Sequence, residues 1–281
     1  MPYVSSGQMI ARAYAGHYAV PAFNFENLEM AQAIIHAAES RNSPVILQTT
    51  PSTASYLGLE QAYAIVYSLA YRASVPVALH LDHCERFEQV MQAIRAGYSS
   101  VMIDASKQPL QRNIEITRKV KEVAQAIDIA VEAELGRVGG KEDSSIAEKI
   151  AYTDPAEAEA FVTGTGVDMF APAIGTAHGF YKGEPNLDFE RLMRIQKCTS
   201  IPLVLHGGSG IPDEKVKKCI SMGIAKVNFA TELRYAATLA VREILHDEHV
   251  FDPKKYMKHA RDAVEKICIQ KIAVCGSENG A

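Results

Sequence analysis

The feature that most constrains the fold of this 281-residue chain is an alternation of short apolar runs with helix-compatible segments. Eight such runs occur, and most contain β-branched residues, which strands favour. They span residues 18–23, 45–49, 77–81, 100–103, 130–134, 169–173, 203–205 and 225–229. Strands that are apolar almost throughout indicate a parallel sheet covered on both faces, and eight βα units favour closure into a barrel. A doubly wound open sheet is the alternative.

The predicted fold is therefore α/β, a (β/α)8 TIM barrel with a C-terminal helical extension. We expect a single domain over residues 1–281, because no low-complexity linker, block of like charge or short repeat interrupts the chain. The net charge of -4 is spread without basic runs, which argues against nucleic acid or an anionic membrane as a partner. No long apolar span or signal-peptide pattern is present, and the five cysteines form no C-x-x-C pair. These features predict a cytoplasmic protein with reduced thiols.

Nearly every apolar run ends next to a polar residue that could take part in chemistry. In a barrel the carboxyl ends of all strands meet on one face, so these side chains would converge on one pocket. In an open sheet they would be spread along a line. The residues are Asn24, Thr50, Asp82, His83, Asp104, Glu134, His178, His206 and Asn228.

Three of the nine histidines, His83, His178 and His206, follow predicted strands. Imidazole is the commonest metal ligand in proteins, and a catalytic zinc takes three protein ligands and keeps one position open. A lone histidine is more often a hydrogen-bonded or solvent-exposed ring than a metal ligand. His80, inside a predicted strand, is expected to be such a histidine. The coincidence of three histidines with carboxylates and glycines favours a zinc site.

Two glycine-containing loops follow late strands of the predicted barrel. One contains His178-Gly179 and the other spans residues 206–210. Backbone amides in such loops can hold an anion, and phosphate sites in barrels often lie there. Lys182 and Thr231, on neighbouring loops, would add a positive charge and a hydroxyl group to a phosphate site.

The sequence resembles the class II, zinc-dependent fructose-bisphosphate and tagatose-bisphosphate aldolases. The matching segments occur in the same order along essentially the whole chain. They are residues 18–24, 80–83, 100–106, 131–136, 139–143, 177–179, 202–210 and 227–232. The resemblance implies reversible retro-aldol cleavage of a ketohexose 1,6-bisphosphate, of the tagatose or fructose type, to dihydroxyacetone phosphate and glyceraldehyde 3-phosphate.

The resemblance also implies roles for the metal-site residues. His83, His178 and His206 match the ligands of the catalytic Zn²⁺, which would act as a Lewis acid. A displaced or second metal ion would be held by matched carboxylates, namely Asp104, Glu132 and Glu134. No Schiff-base lysine is then required.

Further roles carried over from the family concern protons and substrate. Asp82 matches the residue that exchanges a proton with the C4 hydroxyl, and Glu142 matches the base that moves the proton at C3. Phosphate binding is implied for the glycine loops and their neighbours, namely Gly179, Lys182, Gly207, Gly208, Ser209 and Thr231. Asn228 would contact the triose, and Asn24 and Thr50 would face the aldehyde half. Backbone carbonyls around these loops are expected to hold Na⁺ or K⁺.

The sequence departs from the family pattern at Lys254 and in the segment 50–52. Lys254 stands where both branches usually carry an arginine that reaches in from a neighbouring subunit to the 6-phosphate, and lysine lacks the bidentate fork of arginine. Thr50-Pro51-Ser52 replaces the Ser-Glu-Gly that is usual in the fructose branch. Either these changes are neutral, or the substrate carries another anionic group at C6. The alternative substrate is 6-deoxy-6-sulfofructose 1-phosphate, which would yield dihydroxyacetone phosphate and sulfolactaldehyde.

A homo-oligomer, a dimer or a tetramer, is implied because the residue at Lys254 would act across an interface. A different class of function is a non-catalytic stabilising subunit of an aldolase complex. The complete set of matched histidines, with Asp82 and Glu142, argues against that role. Metal content after purification discriminates between the two, because a scaffold would hold no tightly bound zinc.

Overall fold

Eight parallel strands close into a barrel, as the sequence predicts. The computed structural model describes residues 2–142, 145–147, 151–181 and 183–281. The barrel strands are β1 (Val20–Asn24), β2 (Val45–Thr49), β3 (Val77–Cys84), β4 (Ser100–Ile103), β5 (Ala130–Leu135), β8 (Met169–Pro172), β10 (Leu203–Leu205) and β11 (Ile224–Phe229). Their order around the barrel is β1, β11, β10, β8, β5, β4, β3, β2. The first strand pairs with the last through Val20 beside Lys226 and Phe23 beside Phe229. The open-sheet alternative is therefore excluded.

Helices connect the strands and surround the barrel. They are α1 (Ser6–Gly16), α2 (Leu28–Ser40), α3 (Pro51–Leu57), α4 (Leu59–Ala70), α5 (Phe87–Ala96), α6 (Leu110–Gln125), α7 (Pro155–Thr165), α8 (Phe189–Thr199), α9 (Asp213–Ser221), α10 (Thr231–Ile244) and α11 (Pro253–Cys275). Several begin where a side chain accepts a hydrogen bond from a backbone amide of the first turn. Asn27, Asp154 and Asp252 do so for α2, α7 and α11, and proline follows directly in the last two.

The apolar core has two layers. The larger lies between the strands and the surrounding helices, and the smaller fills the barrel interior. Met9, Ile10 and Ala13 of α1 pack with interior residues near the strand starts, such as Val20 and Ala130. Helix α1 therefore closes the amino end of the barrel and leaves the carboxyl end for the site.

Elements outside the eight repeats are not predicted by the sequence pattern. Besides α1 and α3, a three-stranded sheet consists of β6 (Gly139–Glu142), β7 (Ser145–Ala147) and β9 (Ala177–His178). The expected C-terminal extension is the single helix α11, which packs on α2 and α10 of its own chain. In the part of the chain that is described, no helix has the length and apolar character needed to span a bilayer.

Candidate active site

Strand β3 delivers two of the predicted site residues at its carboxyl end. Asp82 is fully buried, and His83 lies beside it at the barrel mouth. The pairing of β3 with β4 shifts register between Leu81 and Cys84, and His83 has a φ of 49°. A positive φ is uncommon for a residue with a side chain and often marks a functional site. The irregularity turns the His83 ring towards the histidines of later strands.

Three imidazoles meet at this end of the barrel. One ring nitrogen from each of His83, His178 and His206 lies within 4.8 Å of those of the other two. His178 comes from β9, where its neighbour Gly140 in β6 has a φ of 87°. A Cβ atom at Gly140 would collide with the His178 carbonyl oxygen, so the close pairing of β6 and β9 requires glycine.

Two of these rings are oriented by carboxylates. Nδ1 of His83 lies 3.1 Å from Oδ2 of Asp104, and Nε2 of His206 lies 2.7 Å from Oε1 of Glu132. If these nitrogens donate, the other nitrogen of each ring carries a lone pair, and those two nitrogens face each other at 2.6 Å. Two lone pairs that point at one place favour a cation there, so the donor set fits a metal ion.

Burial and nearby charges shift the pKa values of the imidazoles and of the carboxylates that contact them. Burial would raise the pKa of Asp104, but hydrogen bonding and the charge of His83 outweigh it and lower that pKa to about 2. The pKa of His206 is lowered, first by burial and then by His83. The deprotonated imidazole that a metal ligand requires is thereby favoured. Glu134 also lies close, with Oε2 3.6 Å from Nδ1 of His206.

A buried ion pair lies beneath the imidazoles. Nζ of Lys226 is 2.8 Å from Oε2 of Glu132 and 2.8 Å from Oδ1 of Asn228, and both charged side chains have no exposed surface. Burial would raise the pKa of Glu132, but Lys226 outweighs it and lowers the pKa. Lys226 thus keeps Glu132 ionised as the acceptor for His206.

His80 extends this buried network towards the amino end of the barrel. Its Nδ1 lies 2.7 Å from Oγ of Ser100, which accepts a hydrogen bond from Ser6 of α1. Its Nε2 is 3.6 Å from Oε2 of Glu132. The pKa of His80 is far below its ordinary value, first because of burial and then because of Lys226. The ring is a buried, hydrogen-bonded histidine, in agreement with the structural interpretation of the sequence.

Amide side chains hold the Asp82 carboxylate in place. Gln48 Nε2 donates to Asp82 Oδ2 at 2.9 Å and to Asn24 Oδ1 at 2.8 Å. Asn228 Nδ2 lies 3.3 Å from Asp82 Oδ1. Since Lys226 contacts the oxygen of the Asn228 amide, the amide nitrogen must face Asp82. Asp82 is therefore an oriented carboxylate beside His83, as a proton-transfer group must be.

The glycine loop after β10 is held by its neighbours on two sides. Gly207 has a φ of 66°, and its carbonyl oxygen accepts a hydrogen bond of 2.9 Å from Tyr181. Burial raises the pKa of Tyr181 to about 12, so its hydroxyl group remains a donor. The Ser209 hydroxyl oxygen accepts from the amides of Ala230 and Glu232, at 3.2 and 3.4 Å. The loop is thus fastened to the start of α10.

A pocket opens between these loops and the imidazoles. It combines one imidazole with backbone amides and hydroxyl groups, which suits a phosphorylated ligand. Its lining consists of Asn24, His178, Gly179, Gly207, Ser209, Asn228, Ala230, Thr231 and Arg234.

Other predicted residues lie elsewhere. The Thr50 hydroxyl group caps α3 and accepts from the Thr53 amide at 3.5 Å. Lys254 begins α11 with its side chain 88% exposed and paired with Asp252 at 2.9 Å, and it is absent from the pocket lining. Glu142 ends β6, where only its backbone is described, and Lys182 lies outside the described residues.

Three residues of the site escape the sequence analysis. Lys226 and Gln48 interrupt otherwise apolar strands, and a fully buried ionisable or amide group requires a partner. Their position within a strand is the available signal. Arg234 lines the pocket from α10 and pairs with Glu26 at 2.6 Å, but a helical arginine carries no such signal.

Comparison with known proteins agrees with this geometry. Residues 4–280 match the family profile described as Fructose-bisphosphate aldolase class-II. A Bacillus subtilis (strain 168) protein named "Probable fructose-bisphosphate aldolase" is 48% identical, with 100% of both chains covered. The fructose-bisphosphate aldolase of Geobacillus stearothermophilus is 47% identical over 100% of this chain and 99% of its own. The crystal structure of the YdjI aldolase from Escherichia coli K12 superimposes with a TM-score of 0.89 at 36% identity, covering 99% of each chain.

Proposed function

Because this chain belongs to the class II fructose-bisphosphate aldolase family, a family of metal-dependent aldehyde-lyases, we propose that it cleaves a ketohexose 1,6-bisphosphate reversibly. The products would be dihydroxyacetone phosphate and glyceraldehyde 3-phosphate, and the substrate would have the tagatose or fructose configuration. The observation that carries the proposal is the meeting of three imidazoles with an oriented Asp82 beside a glycine-lined pocket.

The proposed metal is Zn²⁺, held by His83, His178 and His206. Three imidazole nitrogens with one position left open are a typical catalytic zinc set. When bound, the ion supplies a Lewis acid that polarises the ketone of the substrate. Asp104 and Glu132 support the ligands by accepting hydrogen bonds from His83 and His206. Asp104, Glu132 and Glu134 are also proposed to hold a displaced or second metal ion, and Na⁺ or K⁺ is proposed at the loop carbonyls.

Two carboxylates would move the protons of the reaction. As the C3–C4 bond breaks, Asp82 takes the proton of the C4 hydroxyl group, and the aldehyde forms at C4. The electron pair left on C3 takes a proton delivered by Glu142. Asp82 suits its role because Gln48 and Asn228 orient it within the buried end of the barrel. In the reverse direction Glu142 removes a proton from C3, and the protonated Asp82 gives its own proton to the new C4 hydroxyl group.

The glycine loops would hold the phosphate of the triose. Gly179, Gly207, Ser209 and Thr231 all line the pocket, and Gly208 belongs to the same loop. Lys182 is proposed to add its ammonium group. Asn228 and Asn24, on neighbouring strands β11 and β1, would contact the triose and the aldehyde half, and Thr50 would lie further towards the aldehyde.

A coupled assay of dihydroxyacetone phosphate release tests this function. The substrates are fructose 1,6-bisphosphate, tagatose 1,6-bisphosphate and 6-deoxy-6-sulfofructose 1-phosphate, each with and without a chelator. Chelator-sensitive release, restored by added zinc, supports the zinc aldolase, and the order of kcat/KM names the substrate. No release from any of the three with zinc present would refute the substrate assignment. Absence of tightly bound zinc in an inactive protein would favour the non-catalytic subunit.

The sulfonate substrate is a second candidate because Lys254 replaces the usual arginine. A sulfonate carries one negative charge, which a lysine matches without the bidentate geometry that suits a phosphate. A preference of about 100-fold or more for either bisphosphate in kcat/KM, about 2.7 kcal/mol, would end this proposal.

We further propose a single-domain subunit that forms a homodimer or homotetramer in the cytoplasm. Lys254 supports the oligomer, because its exposed side chain lies outside the pocket of its own chain and could serve a neighbour's. All five cysteines are free, as suits a reducing compartment. Light scattering coupled to size-exclusion chromatography measures the subunit number, and a monomer that is fully active would refute the shared site.

A further inference from the structure

A second buried lysine, Lys271, lies beside the glycine loop without any role in the proposed reaction. It projects from α11, the C-terminal helix, and the residue is 8% exposed. Its Nζ lies 3.0 Å from Oε2 of Glu232 and 5.4 Å from the ring centroid of Phe229. Asp213, 58% exposed, is 3.9 Å away. Burial of an ammonium group requires compensation, and here Glu232 is the closest carboxylate.

The other oxygen of Glu232 holds the glycine loop. Oε1 of Glu232 accepts a hydrogen bond of 3.1 Å from the amide of Gly210, whose φ is 82°. The Glu232 amide in turn donates to Ser209, a residue of the pocket. One carboxylate therefore joins Lys271 on the last helix to the loop proposed to bind phosphate.

This arrangement places a negative charge next to a site for an anion. An unneutralised carboxylate would repel a phosphate dianion bound nearby. It would also attract the loop amides away from the ligand. A nearby ammonium group offsets the charge while leaving the Gly210 hydrogen bond intact.

We propose that Lys271 is a positioning residue of the phosphate site, acting through Glu232 to set the charge and conformation of the loop 207–210. The inference rests on the proposed function only for the identity of the ligand as a phosphorylated triose. It assigns the C-terminal helix a part in ligand binding that reaches the pocket within one chain.

Variants at both ends of the contact test the proposal. Lys271→Met removes the ammonium group, and Lys271→Arg keeps a cation. Glu232→Gln removes the charge but keeps an oxygen that can accept from Gly210. The matched control is Lys121→Met, because Lys121 is also a mostly buried lysine, 13% exposed and 2.6 Å from Asp168. That pair lies beside the start of β5, at the amino end of the barrel.

The measurements are the inhibition constant of inorganic phosphate, KM and kcat for the best ketose substrate, and zinc content. For Lys271→Met we expect the inhibition constant of phosphate and the KM to rise at least about fivefold. The kcat and the zinc content should change less than about twofold. Lys271→Arg and the double variant Lys271→Met with Glu232→Gln should restore phosphate affinity to within about twofold of the wild type. Lys121→Met should leave it unchanged.

Other outcomes would overturn the inference. One is that Lys271→Met lowers kcat and stability together while KM and phosphate inhibition stay the same, as a purely structural lysine would. If Lys271→Met does not fold, Glu232→Gln decides, because it should bind phosphate at least as tightly as the wild type. A loss of about tenfold there refutes the charge argument. If the wild type cleaves no ketose but calorimetry shows Lys271-dependent phosphate binding, the inference stands and the proposed substrate falls.

Discussion

Breaking the ion pair between Lys226 and Glu132 should have a large, measurable effect on stability and on the site above it. Replacing Lys226 by Met keeps the volume of the side chain but removes its charge. Glu132, which has no exposed surface, then keeps the hydrogen bond from His206 but loses the ammonium group that compensates its charge. Removing one partner of a buried pair costs about 3–5 kcal/mol, because the remaining charge is uncompensated. The equilibrium constant for folding should therefore fall by a factor of about 10² to 10³·⁵.

The same substitution should also act on Asp82. Lys226 contacts the amide oxygen of Asn228 at 2.8 Å and so directs the amide nitrogen towards Asp82. Without the ammonium group the amide can rotate, and kcat should fall while zinc content changes less. Urea unfolding of the metal-free protein measures the first effect, and steady-state kinetics of the zinc-loaded protein measures the second.

The double variant Lys226→Met with Glu132→Gln separates charge from packing. The introduced amide would be neutral and could still accept from His206, so the double variant should recover more than half of the lost stability. A loss below about 1 kcal/mol in the single variant would refute the argument, because a surface pair contributes that much. So would a double variant that is no more stable than the single one.

Three further predictions concern the metal, the loop and acidity. Asp104→Asn should weaken zinc binding about 10–100-fold in a competition titration, because the carboxylate that orients His83 is lost. Gly207→Ala should weaken phosphate inhibition, because φ is 66° and the new Cβ would collide with the Ala177 carbonyl oxygen. The folded pKa of Glu132 is lowered, so its stabilising contribution is complete above its ordinary value of 4.5 and is lost as the pH falls below it. The unfolding free energy of Glu132→Gln should therefore vary less with pH between about 5 and 3 than that of the wild type.

The strands are predictable from the sequence because each buries both faces and reads as a short apolar run. Residues at their carboxyl ends can be assigned to one pocket, since a parallel barrel brings those ends together. For this reason Asp82, His83 and His206 can be named without coordinates. The distances between these side chains cannot be predicted from the sequence. The irregular pairing of β3 with β4, which turns His83, cannot be detected in the pattern of apolar residues.

Elements that depend on long-range partners are not predictable. The sheet of β6, β7 and β9 contains strands of two to four residues, and β9 pairs with β6 across more than 30 positions of the chain. Such strands are too short for a period of two to be detected. Lys226 and Gln48 each look like an isolated polar residue in an apolar run. Their charged partners, Glu132 and Asp82, come from other strands and become neighbours only when the barrel closes.

Some polar residues of this barrel are buried within its strands, and others lie at the starts of helices. This difference in position has a consequence for substrate specificity. Glu132 and Lys226 lie within strands and pair with each other, with His80 Nε2 3.6 Å from the Glu132 carboxylate, so a change in either partner leaves a buried charge uncompensated. Thr50 and Lys254 lie in helix starts outside this network, with partners close in sequence. If Thr50 and Lys254 contact the group at C6, as proposed, substitutions there should change the recognised group without disturbing the proposed proton transfer. A sulfonate and a phosphate substrate could therefore share one buried network, and exchanging Lys254 for arginine should shift their kcat/KM ratio while zinc affinity stays constant.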